Sequence, residues 1–311
     1  MPNLVRQSIS PRASHSSPER EIVTLIAAFK CSDGFLVCAD SAEICGPWKT
    51  RVDKISPKVC GNFQVAIAGS GLASVVDDCT LRLEDAISSL EPTALSDFAK
   101  TIHLELLDFR KNECTSSERQ TLKFIISALA YKESARPFAV WTTVGSRLNP
   151  VETFAIGGWE TEVYNHTAER LYRPRMLISQ AVFAALYLLR LARDTSPNID
   201  EPMKLVSIRS EGMYPVSPEY TKKLSDRMEM FAKQIDNFML FCPDTSITKS
   251  AFERKLQEFE ETIKVLREDY LQDAGEAMVK GEPFPMTPDR IQMQETPGGR
   301  TEFSEHERDP E

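Results

Sequence analysis

The sequence predicts an α+β fold in which helices pack outside antiparallel sheets. Consecutive apolar, strand-like runs are separated by short turns that are polar or contain glycine or proline, as in antiparallel sheets. Segments with helical periodicity are grouped between sets of strands, which argues against a doubly wound fold. The 311 residues are 41% hydrophobic, which is enough to build a sizeable buried core.

Strands are predicted where a short apolar run rich in β-branched residues is bounded by turn residues. The first run, 22–31, is followed by the turn signal Ser-Asp-Gly and by a second run, 35–42, so the two are expected to form a hairpin. The next strand, 62–69, ends at a Gly-Ser-Gly sequence. The later strands are predicted at 122–131, 137–144, 151–158 and 203–210.

Helices are predicted where apolar residues recur with a period of 3.6. Three of them belong to the body of the fold, and two further amphipathic helices follow it in a background of Lys and Glu. The predicted helices are 72–87, 93–110, 176–192, 218–240 and 248–272. We expect a flexible leader over 1–21, one folded domain over 22–212, a helical extension over 213–275 and a disordered, proline-rich tail over 276–311.

Composition excludes several classes of function. The net charge is −9 and no basic stripe is present, so nucleic acid and anionic membrane surfaces are not expected partners. No apolar run reaches the roughly 18 residues of a membrane span. The seven cysteines are scattered without a CxxC motif, which indicates a reducing compartment such as the cytoplasm. With four histidines, of which His103 lies within a predicted helix among apolar neighbours, a His-rich metal site is not expected.

Four residues near the front of the chain follow a distinctive order. Thr24 lies in the first strand, Asp40 ends the second, Lys54 precedes an isoleucine, and Gly69 closes the sequence IAGSG. In this order and spacing, TLIAAFKCSDGFLVCADSAE followed by KI and FQVAIAGSG resembles the proteasome β-subunit family of N-terminal nucleophile (Ntn) hydrolases. The resemblance covers about residues 22–210 and implies a four-layer αββα sandwich of two antiparallel sheets.

The resemblance also implies a role for each of these residues. Thr24 would be the nucleophile, with its own free α-amino group as base, because that amine titrates near neutral pH. Lys54 and Asp40 would be its charged supports, and the backbone N–H of Gly69 would receive the developing oxyanion. Asp194, which follows an arginine after the later helix, matches an aspartate that tunes the terminal amine.

The chain departs from the family pattern in three places. Gly158 stands where the family has a serine, and Pro197 stands where a second serine is expected, with Ser196 one residue earlier. The residue before Thr24 is Val23, whereas the family usually has glycine there. The bond between Val23 and Thr24 has to be cut before Thr24 has a free amine.

Three hypotheses about function therefore stand side by side. The first is a threonine-type hydrolase that cleaves peptide or other amide bonds through an acyl-enzyme on Thr24. The second is a non-catalytic scaffold or assembly protein of the same fold that keeps its leader. The third is an amidase that acts on a small molecule through the same site. The resemblance implies a ring-like homo-oligomer and no cofactor.

Overall fold

The structure is a computed structural model that describes residues 24–45, 48–55, 57–90, 94–130, 137–158, 161–196, 199 and 203–277. For 43–45, 48–50 and 269–277 it describes the backbone only. The expected leader and all but the first two residues of the expected tail lie outside this part of the chain. The division into leader, domain, extension and tail therefore remains a prediction.

The described chain alternates between groups of strands and groups of helices. The strands are β1 (Leu25–Cys31), β2 (Gly34–Ala39), β3 (Ala42–Cys45), β4 (Trp48–Arg51), β5 (Lys58–Cys60), β6 (Phe63–Ser70), β7 (Lys123–Ala130), β8 (Phe138–Val144), β9 (Arg147–Pro150), β10 (Phe154–Gly158), β11 (Lys204–Arg209) and β12 (Gly212–Pro215). The helices are α1 (Ala73–Ser88), α2 (Leu95–Asn112), α3 (Ser116–Thr121), α4 (Thr161–Leu171), α5 (Ile178–Thr195), α6 (Pro218–Phe241) and α7 (Lys249–Ala277).

Two five-stranded antiparallel sheets form the centre of the fold. The first sheet has the order β10-β1-β2-β11-β12 and the second the order β5-β6-β7-β8-β9, while β3 and β4 form a separate ribbon. The expected opening hairpin is present, with Ile26 opposite Ala39 and Cys31 opposite Gly34. Asp33 in its turn accepts a hydrogen bond from the backbone N–H of Ile178 at the start of α5, which ties this helix to the hairpin.

Three buried clusters show that the sheets and helices form four layers. Alternate residues of β1 face opposite sides of the first sheet, as the strand period of two requires. Leu25 and Phe29 pack with α4 and α5 on one side. Ile26 packs against residues of the second sheet, such as Ala66, on the other side. The far face of the second sheet is covered by α1 and α2. The predicted αββα sandwich is confirmed.

The two helices after the last sheet strand form a hairpin of their own. α6 buries Tyr220, Leu224 and Met228 in the cluster that also contains α5. Farther along α6, Phe238 stacks on Phe259 of α7 with ring centroids 4.8 Å apart. The two C-terminal amphipathic helices are thus present as predicted, and α6 is the one that packs directly on the body.

Several element predictions need correction. The run 35–42 is not one strand, because β2 ends at Ala39 and β3 begins at Ala42, with Asp40 turning inward between them. The short elements α3, α4, β3, β4, β5, β9 and β12 were not predicted. They carry little apolar periodicity; α4, for example, buries only Tyr164 and Ala168.

Within the described residues, no helix combines the length and the apolar character needed to cross a membrane.

Candidate functional site

Thr24 lies at the mouth of the hairpin formed by β1 and β2. It directly precedes β1 and is 7% exposed. Its Oγ1 accepts a hydrogen bond from Nζ of Lys54 at 3.1 Å. The hydroxyl is therefore held beside an ammonium group in a buried position.

Asp40 closes the same end of the hairpin from the other strand. It directly follows β2 and is fully buried. Its Oδ1 accepts from the backbone N–H of Leu25 at 2.9 Å, and its Oδ2 accepts from that of Ala42 at 3.0 Å. Its own N–H donates to the carbonyl of Leu25 at 3.0 Å. These bonds fix the carboxylate next to the residue that follows Thr24.

Lys54 lies in the loop between β4 and β5 and contacts both Thr24 and Asp40. Its Nζ lies 3.0 Å from Oδ1 and 3.1 Å from Oδ2 of Asp40, and its side chain is 11% exposed. A cation this deeply buried is stable only when it is paired and hydrogen-bonded. The structure thus brings together Thr24, Asp40 and Lys54 in one chain of contacts.

Burial and the neighbouring groups have opposite effects on the pKa of Asp40. Burial raises the pKa of the Asp40 carboxyl above its usual range, because removal from water penalises the ionised form. The Lys54 ammonium and the backbone N–H groups of Leu25 and Ala42 act in the opposite direction, since they stabilise the carboxylate. The ion pair with Lys54 is therefore the largest of the effects that favour the ionised form of Asp40.

The arrangement can support an alkoxide on Thr24. An ammonium at hydrogen-bond distance from a hydroxyl oxygen lowers the proton affinity of that oxygen. A base is also needed, and the α-nitrogen of Thr24 is the nearest nitrogen by covalent connection. In the printed sequence that nitrogen is an amide bonded to Val23 and cannot accept a proton.

Gly158 makes the closest backbone approach to Thr24. It lies opposite Leu25 in the pairing of β1 with β10 and has a φ of +126°. A Cβ at this position would lie 1.6 Å from the carbonyl oxygen of Thr24. With this backbone no serine fits at position 158, so the departure from the family pattern has a steric cause.

Gly69 and Asp194 differ from the central three residues in their surroundings. Gly69 pairs with Phe124 near the end of β6, and a Cβ there would lie 2.3 Å from Cγ1 of Val76, so close packing alone requires glycine. Asp194 lies in the last turn of α5, is 60% exposed and forms an ion pair with Arg190 at 3.8 Å. The structure does not bring Asp194 into contact with the Thr24 hydroxyl among the described residues, and the roles assigned to both residues stay predictions.

Ser41 and His103 are two further polar residues whose surroundings the structure shows. Ser41, which directly follows Asp40, is 3% exposed, and its hydroxyl has no hydrogen-bond partner among the described residues. The sequence signal for it was the polar Asp-Ser pair that ends an apolar run. His103 donates from Nδ1 to the carbonyl of Ser146 at 2.7 Å, which fits a structural role in α2. Within the described residues, no group of three or more His, Cys, Asp or Glu could hold a metal ion.

Comparisons with known proteins show which solved structures have a similar fold. No family model and no curated protein matches the sequence. Solved structures of Anbu are similar. That from Hyphomicrobium sp. strain MC1 has 14% identity and a TM-score of 0.56 and covers 68% of this chain and 97% of its own. Anbu from Yersinia bercovieri, described as an ancestral β-subunit, has 12% identity and a TM-score of 0.57, with coverages of 68% and 96%. The helical assembly of the Anbu complex from Pseudomonas aeruginosa has 13% identity and a TM-score of 0.57, with coverages of 73% and 99%.

These findings correct the expected family. Membership of the proteasome β-subunit family is wrong as stated, because no family model matches and the similar solved structures are Anbu proteins. At 12–14% identity the likeness shows the fold alone. The fold is therefore proteasome-like, as in Anbu, and the activity does not follow from the comparison.

Proposed function

We propose that this chain is a threonine-type Ntn hydrolase that cleaves peptide or other amide bonds. The observation that carries the proposal is the contact chain in which Nζ of Lys54 lies 3.1 Å from Oγ1 of Thr24 and 3.0 Å from Oδ1 of Asp40. Packing alone does not explain why a lysine is buried beside the Thr24 hydroxyl and donates a hydrogen bond to it. The Anbu-like fold is consistent with the proposal.

The reaction begins once the bond between Val23 and Thr24 has been hydrolysed. Oγ1 of Thr24 then attacks the substrate carbonyl carbon, and its proton passes to the free α-amine. Lys54 stays protonated and stabilises the negative charge on Oγ1, while Asp40 keeps Lys54 charged and in place. The N–H of Gly69 is the proposed donor to the oxyanion, and Asp194 is proposed to tune the amine.

The second half of the reaction returns Thr24 to its starting state. The α-ammonium gives its proton to the leaving amine as the carbon–nitrogen bond breaks, which leaves an ester on Oγ1. The amine then takes a proton from water as the water oxygen attacks the ester carbon. The α-ammonium returns this proton to Oγ1 as the carbon–oxygen bond breaks, so the acid product leaves, the hydroxyl and the free amine are restored, and no cofactor is required.

The second candidate is a non-catalytic protein of the same fold that serves assembly. Two observations favour it: valine, and not glycine, precedes Thr24, and the backbone leaves no room for a serine at Gly158. A small-molecule amidase would share the Thr24 site and differ in the substrate it accepts. For each candidate we infer a homo-oligomer, since one similar Anbu structure is a helical assembly. The six cysteines whose side chains the structure describes are free, which supports a reducing compartment such as the cytoplasm.

An N-terminal mass measurement combined with covalent labelling tests the proposal. We expect purified protein to begin at Thr24 and to gain one adduct from a peptide epoxyketone. Thr24→Ala should abolish the adduct and Thr24→Ser should retain it. The matched control is Thr121→Ala, which changes a threonine exposed on α3 and should leave labelling unchanged. Protein that still carries Val23 and takes no adduct would refute the hydrolase and leave the assembly role.

A further inference from the structure

A cavity far from the Thr24 contacts lies between α5, α6 and α7. Its volume is about 640 Å³, within the range of roughly 300–1,000 Å³ typical of small-molecule sites. At about 30 Å³ for each water-sized group, it has room for about 20 non-hydrogen atoms. None of the residues discussed in the catalytic proposal lines it, so it is independent of that proposal.

The floor of the cavity is apolar and belongs to the core of the first sheet. Met176, Ala184, Leu224 and Met228 line it and are each at most 5% exposed. Ala184 has the smallest side chain among these four residues. Such a surface favours an apolar chain over water.

The wall on the α7 side is apolar but partly open. Ile263 lines the cavity and is 41% exposed, which is a high exposure for a branched aliphatic residue beside a core. Phe183 of α5 also lines the cavity. An occupant in contact with Ile263 and Phe183 would remove apolar surface from water at both residues.

The rim is cationic. Arg173, Arg175, Arg227 and Arg267 line the cavity, and none of its described lining residues is acidic. Arg175 and Arg267 are exposed, and they come from the segment before α5 and from α7. In a chain with a net charge of −9, four arginines around one cavity create a local positive field that attracts anions. Guanidinium groups also bind carboxylate and phosphate in a bidentate manner.

We propose that this cavity binds an anionic amphiphile: an unbranched acyl or alkyl chain that ends in a carboxylate or a phosphate. The chain would lie on the floor formed by Met176, Ala184, Leu224 and Met228, and the head group would lie among the arginines. Charge complementarity and the apolar floor favour this class over a neutral lipid or a cationic one. Carboxylate and phosphate heads share the same chemistry here, and the two probes below distinguish them.

Isothermal titration of the full chain with dodecanoate and with dodecyl phosphate tests the proposal. We expect saturable one-to-one binding of at least one of them below its critical micelle concentration. Dodecyltrimethylammonium, which has the same chain and the opposite charge, should bind at least about tenfold more weakly. Higher salt should weaken binding of the anions, because the arginines at the rim are exposed.

Variants separate the head-group site from the floor. Arg175→Gln and Arg267→Gln should each weaken binding of the anion by about fivefold. The matched control is Arg254→Gln, which removes an exposed arginine of α7 that does not line the cavity and should have no effect. Ala184→Trp should abolish binding by filling the floor. Because a tryptophan at this buried position would also disturb the packing of α5, the arginine variants decide the question.

The proposal is wrong if the anionic and cationic amphiphiles bind equally, or if Arg254→Gln weakens binding as much as Arg267→Gln. It is also wrong if neither anion binds below its critical micelle concentration.

Discussion

Replacing Asp40 by asparagine tests whether the ion pair beside Thr24 is held together as the structure indicates. The carboxylate accepts four hydrogen bonds, from the backbone N–H groups of Leu25 and Ala42 and two from Lys54. An asparagine has one acceptor oxygen and a donating NH₂ group. At least one backbone N–H therefore faces a donor, and Lys54 loses its counter-charge.

The expected loss of stability follows from these contacts. Breaking a buried ion pair by removing one partner costs about 3–5 kcal/mol. We expect the lower end, about 3 kcal/mol, since the Lys54 side chain is 11% exposed and can regain some contact with water. Lys54→Met should cost a similar amount near neutral pH, because it leaves the buried carboxylate of Asp40 without a cation.

The double variant shows how far the two residues act as a unit. With both changes neither charge is left alone, and the remaining cost is the unsatisfied backbone donor. The double variant should therefore be more stable than the two single losses together predict, by about 2–3 kcal/mol. Urea unfolding of the wild type, both single variants and the double variant measures this coupling. A coupling below about 0.5 kcal/mol would show that the pair is not a stabilising unit.

The pH dependence of Lys54→Met provides a second measurement on the same pair. Burial raises the pKa of Asp40, and removing Lys54 removes the strongest opposing effect. A carboxyl whose pKa is raised by folding stabilises the protein below its unfolded pKa of about 3.9, and this contribution is lost as the pH rises through the folded pKa. The deficit of Lys54→Met should thus be smallest near pH 4 and should grow toward pH 7. A deficit that stays constant over this range would contradict the assignment.

Two further predictions concern the backbone beside Thr24 and the thiols. Gly158→Ala should lower the free energy of unfolding by at least about 3 kcal/mol, because its Cβ would meet the Thr24 carbonyl oxygen at 1.6 Å. Gly145→Ala, at a φ of +60° with no atom within 4 Å of the new Cβ, should cost only about 1 kcal/mol, and equal losses would rule out the steric argument. Iodoacetamide should label exposed Cys242 in the native state. Cys38, whose pKa burial raises to about 12, should react only after unfolding. Peptide mass mapping over time measures both rates, and similar rates would contradict this prediction.

The sequence predicted secondary structure best for the strands that are buried on both faces of their sheet. β1 and β6 are mostly apolar runs, since each packs against a helix layer on one face and the other sheet on the other face. Such runs predict strands without any knowledge of their partners. By contrast, α3 depends on local polar bonds between Thr115 and Glu118, and α4 buries only two residues, so neither has a strong apolar period. A Thr-x-x-Glu capping signal marked α3 in the sequence.

The sequence by itself determined the class of fold from its apolar pattern. Its resemblance to the proteasome β-subunit family, and not that pattern, singled out Thr24, Asp40 and Lys54 as candidates for the site. Only the tertiary structure decided that Lys54 bonds both partners, that Gly158 leaves no room for a side chain, and that Asp194 faces solvent beside Arg190. The reason is physical. Periodicity records which face of an element is buried, whereas a contact between two side chains depends on how separate elements pack, which local sequence does not encode.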